Sequence, residues 1–216
     1  MPLFKYLPKR FLDAFLARGS LRIGTLYEYR KVEQYGTVIG DADEGRHKTE
    51  LSLAGGGVVD LATSTPEAEF FRQHVLRPDQ QHHRTKIVLA DGARLVSHTN
   101  SQDLYIFCVS AEYRPDVMRE FGCDSCLEIL HPQEFFQAVS RRIRHKGTFE
   151  GLAAVTYASK HTHYLRPHRV HPALMKEERY ANQHEWRAIW TPTRPPRQPL
   201  LINVPRAIRH CRAVAA

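Results

Sequence analysis

No apolar run in the chain approaches the ~20 residues that a membrane-spanning helix needs, so no membrane segment is expected. The opening residues, Met1-Pro2-Leu3-Phe4-Lys5, contain no apolar stretch of signal-peptide type. Four cysteines in 216 residues are too few for a disulfide framework. On these absences the expected location is cytoplasmic. Three catalytic signatures are also missing: the Gly-x-Ser-x-Gly nucleophile turn, the Gly-x-Gly-x-x-Gly dinucleotide turn and the His-Glu-x-x-His zinc helix. Gly55-Gly56-Gly57 has no following Lys-Ser/Thr, so it reads as a flexible turn and not a phosphate loop. Serine hydrolases of the elbow type, Rossmann dehydrogenases and zincins are disfavoured together.

Positive charge is present in excess. The formal net charge is +8 and the sequence pI about 9.5, which points to an anionic partner, nucleic acid or nucleotide. The densest basic stretch runs from Lys160 to Arg169 and interleaves His161, His163, Tyr164, Arg166 and His168. Cations around one aromatic ring suit a phosphate backbone with one stacked base, with Lys160, Arg166 and Arg169 as the contacts. A solvated basic loop is the plainer alternative. Cys123-Asp124-Ser125-Cys126 is a lone Cys-x-x-Cys pair without a second pair, so no metal is expected. Asp41, Asp43 and Glu44 precede Gly45 without the ligand spacing of a calcium loop; they read as a capped, ion-paired turn.

Local patterns give a series of short elements. Leu3–Leu7 reads as a strand, Pro8 to Gly19 as a helix with Phe11, Leu12, Phe15 and Leu16 on one face, and Leu21–Thr25 as a second strand. Residues 27–48 read as irregular. A strand over Thr49–Leu53, a helix over Pro66–Leu76 and a hairpin of Lys86–Leu89 with Ala93–Val96 about Asp91-Gly92 follow. Leu104–Ser110 is the longest apolar run and reads as a central strand. A short helix from Pro115, a strand over Cys126–Leu130, a helix over Pro132–Ile143 and strands over Leu152–Tyr157 and Leu200–Val204 complete the expectation. The fold class is α+β, with mixed, largely antiparallel sheets and a few short helices, in a single domain over residues 1–216.

The stretch Arg179 to Trp190 concentrates the chemistry. Trp186, Ala188 and Trp190 share one strand face, and Glu185, Arg187 and Ile189 share the other. Glu185 at the mouth of that strand, with Gln183 two residues before it, is the best catalytic pair. The competing reading has Glu185 in an ion pair with Arg187 or a neighbouring Lys on a solvated face.

Two resemblances rest on these residues. The Leu3-Phe4-Lys5-Tyr6 start, Ile23-Gly24-Thr25, the acidic Asp41-to-Gly45 segment, Phe107-Cys108-Val109-Ser110 and the late Lys176-x-x-x-Tyr180-x-x-x-x-Glu185-Trp186-Arg187 resemble an uncharacterised bacterial domain-of-unknown-function family. That family is found among mobile-element and phage-defence genes. More distantly, the strand-helix-strand start and Gln183-His184-Glu185 resemble the ADP-ribosyltransferase superfamily, whose catalytic glutamate stands late in the chain, often as Gln-x-Glu. This resemblance implies an ADP-ribosyltransferase-like core and NAD as the cofactor. Glu185 and Gln183 would be catalytic, and Lys5, Tyr6, Arg22, Thr25 and Tyr180 would contact the dinucleotide. Lys5 or Tyr6 stands where the superfamily carries Arg or His, and its Ser-Thr-Ser motif is absent. The function expected is a transferase or glycohydrolase, as a toxin or defence effector. The alternatives are a nucleic-acid-binding module or a nucleotide-binding pseudoenzyme.

Overall fold

The computed structural model describes residues 1–77 and 85–214. The chain opens with β1 (Leu3–Leu7), α1 (Lys9–Arg18) and β2 (Ser20–Thr25), then a 3-10 turn (Glu28–Arg30) and α2 (Val32–Ile39), which is interrupted at Gly36. Next come β3 (Arg46–Leu53), β4 (Gly57–Asp60), α3 (Pro66–His74), β5 (Lys86–Leu89) and β6 (Ala93–Asn100). These are followed by β7 (Tyr105–Ser110), α4 (Pro115–Glu120), β8 (Ser125–Ile129), α5 (Pro132–Ile143), β9 (Gly147–Ala154), β10 (Thr156–Tyr157) and β11 (His161–His163). The last elements are β12 (Met175–Lys176), a 3-10 segment (Glu178–Gln183), β13 (Glu185–Pro192), β14 (Leu200–Asn203), α6 (Pro205–Ile208) and β15 (Cys211–Ala213). The class is α+β. No described helix is long and apolar enough to cross a membrane.

Within residues 1–216 the chain packs as two compact units. The first comprises Met1–Gly45, Ser101–Ala158 and Ala173–Ala216; the second comprises Arg46–Asn100 and Ser159–Pro172.

An eight-stranded sheet, antiparallel at every pairing, organises the first unit. One path runs β14-β2-β7-β1-β8-β15, while β13 flanks β7 on its other side and carries β9. One face buries Leu3, Phe107, Val109, Leu127, Ala188 and Trp190 against Leu12 and Phe15 of α1 and Phe135, Phe136 and Val139 of α5. Each such large apolar side chain contributes roughly 1.5–3 kcal/mol on burial. The helix over Pro132–Ile143 forms with the expected bounds because Pro132 suits a first turn and buried residues recur every three or four positions. Gly19 ends α1 in the left-handed region at φ 72°, and its N–H bonds the Phe15 carbonyl at 2.6 Å. A side chain there would also meet the Val204 carbonyl carbon at 2.3 Å. Glycine thus permits both the helix stop and the close passage of the chain before α6.

β7 is central, and its far edge is shared. β2 pairs with it at Tyr105 and Ile106, and β1 pairs with it at Ser110 alone. Phe107, Cys108 and Val109 have no strand partner on that side among the described residues, so the sheet is split there.

The second unit corrects the expected hairpin. The turn at Asp91-Gly92 forms, with Ala93 N–H bonded to the Ala90 carbonyl, but β5 and β6 do not pair with each other. β6 pairs with β3 and β5 with β4. Leu53 opposite Ala93 and Gly57 opposite Leu89 keep one continuous register, so this is a single long antiparallel arm, interrupted at residues 54–56 and 90–92. Leu51, Val59 and Leu61 on the arm pack against Phe70 and Phe71 of α3. Residues 27–48, expected to be irregular, contain α2 and the start of β3, and the chain continues past β14 into α6 and β15, which local patterns did not reveal.

Candidate functional site

The pivotal strand begins where expected, at Glu185, but is reached through a forced bend. His184 adopts φ 43° and ψ 45°, the left-handed region that costs a non-glycine residue about 1–2 kcal/mol. Three hydrogen bonds hold the bend. Ala111 N–H donates to the His184 carbonyl at 2.9 Å, Ser110 Oγ to the Gln183 carbonyl at 3.0 Å, and Glu185 N–H to Tyr157 Oη at 2.7 Å. They fix both Gln183 and Glu185 toward the same space. Trp186, Ala188 and Trp190 turn the other way into the main core, as strand parity requires.

Glu185 is buried and fully engaged. Arg187 Nε donates to its Oε1 at 2.7 Å, and Lys176 Nζ lies 2.6 Å from its Oε2. Arg187 reaches on to Glu44 in a two-pronged pair, Nη1 to Oε1 at 2.7 Å and Nη2 to Oε2 at 3.1 Å, and also donates to the Ala173 carbonyl. Lys176 donates to Gln183 Oε1 at 2.9 Å, and Gln183 Nε2 to the Val38 carbonyl at 2.9 Å. Two carboxylates and two cations therefore form one buried chain. Half of the competing sequence reading is realised, since Glu185 does pair with Arg187 and a lysine, but the pairing is buried and not solvated.

The ionisation of these groups follows from their surroundings. Burial alone would raise the Glu185 carboxyl; the Arg187 and Lys176 charges override it and hold Glu185 well below the usual carboxylate range. Burial opposes the charge on Arg187 and on Lys176 as well, yet the carboxylates keep both above their ordinary values. Burial and the nearby Glu185 charge push the Cys108 thiol up to about 12, so it is no nucleophile near neutral pH. Burial also raises the Tyr29 and Tyr157 hydroxyls.

These side chains line a pocket of about 210 Å³. Phe4, Tyr6, Tyr29 and Phe121 contribute aromatic walls, and Lys5, Lys176 and Arg187 contribute cations beside the Glu44 and Glu185 carboxylates of the lining. Gly24 makes room for Tyr29, whose hydroxyl would lie 2.9 Å from any side chain at that position. Lys5 enters through the split in the sheet. Its Nζ donates to the Cys108 carbonyl at 2.8 Å, one of the groups left without a strand partner, and lies 4.8 Å from the Phe107 ring centre. It forms no ion pair among the described residues.

The sequence-expected residues divide accordingly. Glu185, Gln183, Lys5 and Tyr6 meet in the pocket. Arg22 and Thr25 do not line it: Arg22 pairs with Glu28, and Thr25 Oγ1 accepts the Glu28 N–H at 3.2 Å. Tyr180 is buried behind the lining, with its hydroxyl on the Gly40 carbonyl at 3.1 Å and its ring 5.1 Å from Lys176 Nζ. In the second unit Arg166 and Arg169 are exposed, whereas Lys160 is buried. Its carbonyl accepts the Lys48 N–H at 2.7 Å beside the β11–β3 pairing. The turn expected at Asp41 to Gly45 forms, with Asp43 N–H on Asp41 Oδ1 at 3.0 Å.

Sequence reasoning missed Glu44 and the joining role of Arg187. Arg187 shares the Glu185 face, which was a readable signal. Glu44 was visible only as one of an acidic group, with no cue to a partner 143 positions away. Among the described residues no cluster of three or more His, Cys, Asp or Glu side chains could hold a metal. Comparison with protein families, curated proteins and solved structures gives no match.

Proposed function

We propose that this pocket binds a nucleotide and that the protein is an ADP-ribosyltransferase-like enzyme using NAD, a toxin or defence effector that modifies nucleic acid or protein or hydrolyses the dinucleotide. The observation that carries the reading is an ionised Glu185 at the start of a strand, in one pocket with Gln183 and Lys5. Three cations against two carboxylates leave the lining net positive, which favours a phosphate. Aromatic walls suit a planar ring. At about 210 Å³ the pocket is below the roughly 300–1,000 Å³ of drug-sized sites, so it suits the nicotinamide–ribose half of NAD and leaves the adenosine half outside.

The chemistry is electrostatic. When the bond between ribose and nicotinamide breaks, nicotinamide keeps the bonding electrons and the ribose carbon gains positive charge. A fixed carboxylate stabilises that charge as it develops, and the acceptor or water then bonds to the same carbon. On this reading Gln183 orients the acceptor by exchanging its bonds to Lys176 and the Val38 carbonyl, and Lys5 faces a phosphate. A second reading, nucleotide binding without turnover, is favoured by one observation: both Glu185 oxygens already bond cations.

Calorimetry with NAD, and nicotinamide release with RNA, DNA and protein acceptors supplied in turn, tests both. Lys5→Met leaves the buried ion chain intact and is expected to weaken NAD binding about tenfold, the scale of one charge-assisted contact. Binding with release supports the enzyme, and binding without release supports the second reading. Absence of NAD binding in a folded protein would end the proposal.

A further inference from the structure

A second concave site lies on the first unit, where α5 meets α6. It is a groove of about 430 Å³ lined by Arg141 of α5, by Arg206 and Arg209 of the α6 segment, and by Glu134 and His210. All three arginines are exposed, and none forms an ion pair among the described residues. Arg209 Nε makes one contact, to His210 Nε2 at 3.2 Å. Arginines late in α5 complement its helix dipole and need no other purpose. α6 spans only Pro205–Ile208, so Arg206 in its single turn and Arg209 at its C-cap gain little from a helix dipole, yet they line the same groove as Arg141.

The frame beneath them is rigid. Phe135, Phe136 and Val139 anchor α5 in the main core, and Ala207 between the two α6 arginines is fully buried there. Leu130 N–H donates to the His210 carbonyl at 2.8 Å, tying the end of the α6 segment to the start of α5. Three guanidinium groups are therefore carried on a fixed base.

We propose that this groove binds the phosphate backbone of nucleic acid. Guanidinium forks match phosphate oxygens in two-pronged geometry, and a nucleic-acid strand supplies a regular row of them. Among the described residues no Trp, Tyr or Phe lines the groove, so bases have no stacking platform and recognition is independent of sequence. No large apolar side chain lines it either, which leaves nothing to insert into a lipid surface or to anchor an acidic peptide. The site is separate from the nucleotide pocket and does not depend on what that pocket does. It places the anionic partner on residues other than Arg166 and Arg169.

The test is fluorescence anisotropy of labelled single-stranded RNA, single-stranded DNA and duplex DNA across a salt series. Affinity is expected to fall linearly in log–log form with added salt, with a slope of roughly −0.7 per phosphate neutralised on single strands. The triple variant R141A/R206A/R209A is expected to lose at least about tenfold in affinity at low salt and to shallow the slope by about 2, the share of three contacts. The corresponding triple lysine variant should keep most of the slope. Because the three side chains are exposed, the thermal unfolding profile should stay unchanged, which separates lost binding from lost fold. Three results would overturn the proposal: no binding at low salt, a triple alanine variant that binds like the wild type, or poly-glutamate competing as well as nucleic acid. Loss of binding in R166A/R169A with none in the triple variant would also overturn it.

Discussion

Each unit gathers a group of titratable side chains, and the two groups are built on opposite logic. In the first unit Glu44, Arg187, Glu185 and Lys176 alternate in sign and satisfy one another, and the pairing keeps Glu185, Arg187 and Lys176 ionised despite burial. In the second unit His47 lies among His74, His168 and His171, all of one type. Its ring centre is 5.0 Å from that of His168, and its Nδ1 has no hydrogen-bond partner among the described residues. Burial, with the neighbouring histidines adding to it, lowers His47, and burial alone lowers His74 and His171. Burial thus fixes charge where signs alternate and suppresses it where they repeat. The ion chain of the first unit is charged in the interior, while the histidine group of the second resists protonation and so becomes sensitive to acid.

The comparison breaks most directly at Arg187, which is 1% exposed and joins both carboxylates. Arg187→Met leaves Glu44 without its two-pronged partner in the interior, and the expected cost is about 3–5 kcal/mol, the range for removing one member of a buried pair. Urea unfolding followed by fluorescence of Trp186 and Trp190, on the same strand, measures it. The double variant E44M/R187M removes the orphaned carboxylate as well and is expected to be more stable than R187M alone. If R187M unfolds at the wild-type urea midpoint, the ion chain does not hold the strand. The same logic predicts that Glu185→Gln costs stability, so its effect on turnover has to be read beside an unfolding curve.

What was legible in the sequence follows the same local-versus-distant division. The helix over Pro132–Ile143 and the stop at Gly19 were readable because period and punctuation lie within a dozen residues. The strand face shared by Glu185 and Arg187 was readable because parity is local. The pairing of β3 with β6 was not, because the turn signal at Asp91-Gly92 is real but serves an interruption in a longer arm. Nor was Glu44, since a short acidic segment gives no sign of which distant cation it meets. The placement of Lys5 depends on β1 touching β7 at one register pair, a tertiary fact that no pattern in Leu3–Leu7 encodes.

Acid sharpens the contrast between the units. Folded His47 lies below the ordinary histidine value of 6.5, so above that value neither state holds a proton and nothing is gained. As pH falls through 6.5 the unfolded chain takes up protons that the folded second unit resists, and stability is lost, by up to about 1.4 kcal/mol per pH unit for each proton. Glu185 responds to acid in the same direction, because its folded value is also depressed, but its contribution persists across this window and fades only at lower pH. Hydrogen exchange at pH 7.5 and 5.5, corrected for intrinsic rates, reads both at once. Protection in β3 and β6 should fall while protection in β7 and β13 holds. His47→Gln should flatten the response of the second unit; equal losses in both units would refute the contrast.

The smallest effect belongs to the same charged chemistry at the surface. Lys9 and Asp13 stand one helical turn apart on α1, with Nζ 2.7 Å from Oδ1, and their side chains are 67% and 57% exposed. That distance matches the Lys176–Glu185 contact, 2.6 Å, in which the side chains are 6% and 7% exposed. If distance set the strength, the two pairs would count alike. Water screens the exposed pair and solvates each partner when the other is removed, so Lys9→Ala is expected to change stability by less than about 0.5 kcal/mol. Lys176→Ala strands part of a buried carboxylate's solvation and should cost several times more, in line with a broken interior pair at about 3 kcal/mol or above. Added salt should reduce the small Lys9 effect further and leave the Lys176 effect nearly unchanged. Urea midpoints for the two variants, at low and high salt, decide the point. Similar losses from both would mean that burial is not what gives the ion chain its weight, and that the argument from alternating sign in the first unit is wrong.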